Sequence, residues 1–92
     1  MLKQPTMTNL VEVPNEGLTK LIGENVLIMC FNYFYTGKLT GINTTCILLE
    51  NCRIVYETGA FTDANFKDAQ LIAPEYYIQL SAIESFGKTD KI

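Results

Sequence analysis

Gly37-Lys38-Leu39-Thr40-Gly41-Ile42-Asn43-Thr44-Thr45-Cys46-Ile47-Leu48-Leu49-Glu50-Asn51-Cys52 is the stretch whose reading decides the fold. It reads as the end of a long bent strand, a tight polar turn at Asn43-Thr44-Thr45, and a second strand that is almost wholly apolar. Glycine inside a flat strand is unfavourable. Gly37 and Gly41 make sense where a strand bends around a barrel corner or another backbone approaches closely. The pattern predicts a small, strongly curved antiparallel barrel.

Working outward, Val26 to Phe31 is a continuous apolar run bounded by Gly23-Glu24-Asn25 and Asn32, which predicts a buried strand and a tight hairpin at Asn32. Before it, Leu18, Leu21 and Ile22 fall at helical spacing. That predicts about two turns of helix opening at an Asn15 cap and ending at Gly23. Residues 1–13 read as an N-terminal arm. After the central strand, Arg53 to Tyr56 either extends it past a kink at Asn51-Cys52 or begins a new one. Residues 58–71 read as a long loop insertion, and Pro74 argues against a central strand there. Tyr76 to Leu80 and Ile83 to Gly87 read as two short strands joined by Ser81-Ala82, and residues 88–92 as a polar tail. The expected architecture is all-β with a short N-terminal helix: a five-stranded SH3-like or OB-like barrel over residues 14–87. A barrel this small is filled by its own side chains, so function must lie on loops, edges or assembly surfaces.

The bulk properties narrow the functional classes. The chain has 92 residues, enough for one domain, and its 48% apolar content supports a packed core. Only 18% of residues are charged, a low figure that favours burying surface against further copies. A net charge of -3 argues against indiscriminate phosphate binding and leaves room for reading unpaired bases by stacking and hydrogen bonding. The three cysteines, Cys30, Cys46 and Cys52, are an odd number in apolar contexts. They predict core thiols and a reducing, cytoplasmic setting. No signal peptide or membrane-spanning run is expected. Histidine is absent, no triad or metal-ligand spacing occurs, and no glycine-rich loop opens a helix. Neither catalysis nor a metal or cofactor is expected.

The positions Asn32, Tyr35, Gly37, Leu39, Ile42 and Asn43, followed by the apolar strand from Cys46 and a second segment Tyr77 to Phe86, resemble the Sm-like family, most of all its Hfq-type bacterial members. The likeness spans roughly residues 15 to 87. It implies a ring in which the fourth strand of one subunit pairs with the fifth of the next. Tyr76, Tyr77, Ile78, Leu80, Ile83 and Phe86 would then lie at the interface, with about five to seven copies closing the circle. The family binds RNA where the turn after the second strand meets the turn between the fourth and fifth. Carried over, Asn43 takes the role of orienting the loop. Thr45 stands at the stacking position and Ile47 at the base-reading asparagine. Gln79 stands at the basic position of the eukaryotic pattern, and Leu80 and Ser81 replace the Lys-His of the bacterial one. Candidate contacts are therefore Asn43, Thr44, Thr45, Gln79 and Ser81, with Phe34 beside Lys38 as a stacking platform on the opposite face. The expected function is binding of single-stranded RNA or DNA by a homo-oligomeric ring. The alternative is an adaptor whose ring contacts other proteins through the 58–69 loop.

Overall fold

The computed structural model describes residues 16–91. The expected arm over residues 1–13 and the Asn15 cap lie outside them. Five strands follow a short helical segment: β1 (Asn25–Cys30), β2 (Phe34–Ile42), β3 (Cys46–Glu57), β4 (Asp68–Gln79) and β5 (Ile83–Lys88). All neighbouring pairs are antiparallel, in the order β4-β3-β2-β1-β5, so one sheet curls into a barrel-like shape with β4 and β5 at its margins.

The core follows strand alternation. Val26, Ile28 and Cys30 of β1 point inward and meet Leu39 of β2, Ile47, Leu49 and Cys52 of β3, and Ile78 of β4. Six side chains of this set are fully excluded from solvent. Burying each of the large aliphatic ones contributes about 1.5–3 kcal/mol relative to exposure. Thr36, the one buried polar residue among those described, satisfies its hydroxyl by donating to the carbonyl of Val26 at 2.9 Å.

Gly37 acts where close approach demands it. A side-chain carbon there would stand 3.0 Å from the Glu50 carbonyl oxygen and 3.3 Å from the Cys52 Cα. Gly41 faces ordinary space, 3.6 Å from Leu48, and its contribution is a register shift between Leu39 and Gly41 that bends β2. The bend was expected; the tight approach belongs to Gly37 alone.

Three expectations are corrected. The N-terminal segment is a 3-10 helix over Gly17–Leu21, preceded by Glu16 without a side-chain cap. With three residues per turn, Leu18 and Leu21 align and pack on the core, while Ile22 falls off the stripe and stays exposed. Gly23 does take the left-handed conformation (φ 93°) expected of it. Second, the 58–71 loop is shorter, because β4 begins at Asp68. Third, the strand expected to start at Tyr76 starts at Asp68 and includes Pro74, and because β4 is a margin the reading against a central strand there stands. Between the pairs Glu50–Glu75 and Cys52–Ala73, Pro74 sits opposite Asn51, the one non-glycine among the described residues with positive φ (54°). A margin strand tolerates the missing N–H, and β3 runs on through the Asn51 kink instead of ending there.

Candidate nucleic-acid interface

The β2–β3 turn is organised by one side chain. The amide oxygen of Asn43 accepts the backbone N–H groups of Thr45 at 2.8 Å and Cys46 at 2.9 Å, and the Thr45 hydroxyl at 3.1 Å. The backbone N–H of Asn43 donates to the Cys46 carbonyl at 3.0 Å, closing the turn. This is the short-range bonding that makes Asn a turn residue. Its carbonyl is thereby occupied internally, so Asn43 shapes the loop, while Thr44 and Thr45 are both exposed and the Thr45 hydroxyl keeps its own oxygen available as an acceptor.

The β4–β5 connection is a 3-10 turn over Leu80–Ala82. Its first N–H, that of Leu80, donates to the Thr45 carbonyl at 2.9 Å, and Cys46 pairs with Gln79 in the register just before it. Two turns far apart in sequence are thus held side by side. Between them lies an open hollow of about 860 Å³ lined by Thr44, Thr45, Tyr77, Gln79, Leu80 and Ser81, together with Cys46. Four residues expected at the site therefore converge: Thr44, Thr45, Gln79 and Ser81.

Tyr77 is the residue that sequence reasoning placed elsewhere. It was expected at a subunit interface and not at the binding site, and its 65% exposed ring forms a wall of this hollow. The position where the resemblance expected an aromatic holds Thr45, and Tyr77 supplies one from the facing strand. Its register opposite Leu48, two residues beyond Cys46, was the signal that could have located it. Ile47, at the base-reading position of the resemblance, is wholly buried in the core and faces away. Among the described residues, no lysine or arginine lines the hollow.

Phe34 and Lys38 are not brought together. Phe34 is half-buried and lines a cleft with Tyr33, Val55 and Tyr56, whereas Lys38 lines a separate one with Glu50, Asn51 and Arg53. The buried Thr36 between them explains the separation. The other face of this segment is aromatic: Tyr33 packs edge-on to Tyr35 and Tyr56, with centroids 6.5 and 6.3 Å apart, and Tyr35 lies 6.1 Å from Tyr76. Phe31, at the tip of the β1–β2 turn, is 80% exposed.

Of the expected interface residues, Ile78 is a core residue, because alternation turns it inward when Tyr77 faces out. Leu80 and Ile83 pack partly against the same core, Tyr76 is half-buried, and Phe86 is exposed. Leu71 and Ile72 on β4 are also exposed; Leu71 fell within the loop expected over residues 58–71, and Ile72 lay between that loop and the strand expected from Tyr76. Both margin strands present backbone groups that nothing within the described residues pairs.

Burial pushes the Cys52 thiol up to about 11, and it raises Cys30 and the Tyr35 phenol in the same direction. Among the described residues no group of three or more His, Cys, Asp or Glu is placed to hold a metal ion, and no helix is long and apolar enough to cross a membrane.

No family model matches the sequence, and no curated protein does. Among solved structures, the fold is similar to that of a Pyrococcus abyssii Sm protein in complex with a uridine heptamer. The TM-score is 0.58 at 14% identity, over 85% of this chain and 100% of that one. The chain therefore has an all-β, Sm-like fold.

Proposed function

We propose that this protein is a non-catalytic, ring-forming binder of single-stranded RNA, reading bases in the hollow between the β2–β3 and β4–β5 turns. One observation carries the reading: the Leu80–Thr45 hydrogen bond joins the two turns around an exposed tyrosine ring flanked by hydroxyl and amide groups. A base stacked on Tyr77 would place its edge within reach of Thr45, Gln79 and Ser81, which supply both donors and acceptors. Asn43 holds the turn and does not read the base. Support from outside the chain is the Sm protein of the same fold, which is in complex with a uridine heptamer.

The ring is the assembly that unpaired margins favour. The backbone of β4, flanked by exposed Leu71, Ile72 and Tyr77, and that of β5, flanked by Phe86, are complementary hydrogen-bonding edges. Pairing one with the next is heterologous and closes when the rotation per subunit divides a full turn. Repetition then multiplies a weak single-base contact by avidity along one strand.

Titration of fluorescein-labelled oligo-U, oligo-A and mixed-sequence RNA and DNA at low salt, with the native mass measured in parallel, tests the proposal. Saturable binding of RNA by a closed oligomer is expected. Absence of any binding at about 100 µM protein, the weak end of non-specific nucleic-acid affinity, would end this reading.

A further inference from the structure

The β3–β4 loop and the end of the chain make a second constellation, on a different part of the surface from the hollow described above. The ammonium of Lys91 donates to the Ala60 carbonyl at 2.9 Å and sits 5.0 Å from the centroid of Phe66 and 5.4 Å from that of Phe61. A carbonyl oxygen and two ring faces are the elements by which proteins recognise an ammonium group. Lys91 makes no salt bridge with any described carboxylate, so the contact is of this kind and not an ion pair.

The receiving loop is held by hydrogen bonds that do not involve the Lys91 side chain. Phe66 is buried and fixed, and the loop is held by Asp63 N–H donating to Ala60 (3.0 Å), Lys67 N–H to Thr58 (3.3 Å) and Ala60 N–H to the Asp63 carboxylate (3.3 Å). Phe61, by contrast, is 66% exposed and forms the open wall. The box continues into a hollow of about 640 Å³ along the outer face of β1 and β5, with Leu27, Met29 and Phe86 in its lining. Of the charged groups lining it, Asp63 and Asp90 are acidic, and Lys88 is turned to Glu24 at 3.5 Å. Without Lys91, the site is an apolar groove ending in a carbonyl–aromatic box of negative charge balance.

We propose that this groove docks a peptide segment of a partner protein bearing a lysine beside an apolar residue, and that Lys91 is its built-in occupant. The inference does not depend on RNA binding. Lys91 lies on the tail beyond β5, so exchanging it for an external lysine disturbs no strand. An intramolecular occupant competes at an effective concentration on the order of millimolar, so it masks the groove against weak peptides.

The test uses full-length protein carrying Lys91→Ala, with Lys91→Gln as a second variant. The labelled probe is the pentapeptide Lys-Thr-Asp-Lys-Ile, which reproduces residues 88–92, alongside the same peptide with its second lysine N-acetylated. The Lys91 variants are expected to bind the unmodified peptide about tenfold or more tighter than the wild-type chain, and the acetylated peptide about tenfold or more weaker than the unmodified one. Adding Phe61→Ala should reduce unmodified-peptide binding to the acetylated level. Equal binding of both peptides, equal binding by variants and wild type, or no binding by the Lys91 variants would each overturn the proposal.

Discussion

The N–H of Leu80 donates to the carbonyl of Thr45 across 2.9 Å, and this single bond brings together two turns that the chain reaches thirty-five residues apart. It does so because β3 and β4 form one long hairpin whose register pairs Cys46 with Gln79. The turns stand at the same end of that hairpin, and whatever binds one meets the other.

Tyr77 is the side chain whose removal separates binding from folding. Tyr77→Ala truncates an exposed ring, so its stability should change by no more than about 0.5 kcal/mol in urea titration. Oligo-U affinity should fall by about 1–3 kcal/mol per stacked base, and Tyr77→Phe should restore it. An alanine variant with wild-type affinity would remove the stacking role.

Salt titration distinguishes this site from a basic one. Among the described residues no lysine or arginine lines the hollow, and the chain is acidic. Few counterions are therefore released, and the slope of log K against log salt should stay shallower than about -0.7, the equivalent of one phosphate contact on a single strand. A steep slope would mean that the strand lies on another surface.

Asn43 should act through the turn alone. Asn43→Ala removes the acceptor for two backbone N–H groups and is expected to cost about 1–2 kcal/mol in chemical denaturation. Asn43→Asp keeps the oxygen that accepts both and should lie near wild type. Equal destabilisation by Ala and Asp would show that the amide nitrogen, not the oxygen, holds the loop.

Much of the barrel was legible because strand burial has a period of two. At β1 the signal is instead the continuous apolar run Val26 to Phe31 between polar flanks, and Asn43 declares the turn. The unread parts have specific causes. A short 3-10 helix and an α-helix share the i, i+3 pair Leu18–Leu21, and only the exposed Ile22 tells them apart. Pro74 argues against a strand except at a margin, and which strand is marginal is a property of the whole sheet. The convergence of Thr44, Thr45, Gln79 and Ser81 followed from the family resemblance. Tyr77 did not, because an exposed aromatic beside a margin strand reads equally as interface or platform. The Lys91 box was out of reach, since Lys91 lies twenty-five or more residues from Ala60, Phe61 and Phe66 and shares no periodicity with them.

Gly37 and Gly41 stand in one strand but should respond differently to alanine. At Gly37 the new carbon meets backbone at 3.0 and 3.3 Å, atoms that cannot move without shifting β3. Gly37→Ala should cost about 1–3 kcal/mol and lower Tm by several degrees, roughly 4–8 °C per kcal/mol in a domain of this size. Gly41→Ala, with its nearest neighbour at 3.6 Å, should change Tm by less than half as much. Similar losses at both positions would place the curvature in glycine flexibility instead of close packing.

Cys52 links the core to alkaline stability. Its thiol is fully buried and held neutral up to about 11, whereas in the unfolded chain it ionises near 9.0. Between those values the unfolded state has released a proton that the folded state still holds, so unfolding becomes more favourable as pH rises. The contribution is present in full below pH 9 and is lost progressively as pH approaches 11, by about 2 kcal/mol at most, with Cys30 and Tyr35 acting in the same sense. Urea titrations of the wild type at pH 8, 9.5 and 10.5 should show that decline. Cys52→Ala, less stable at pH 8 because it opens a cavity, should decline less steeply over the same range. Parallel slopes for the two proteins would show that the Cys52 thiol is not the group that loses its proton on unfolding.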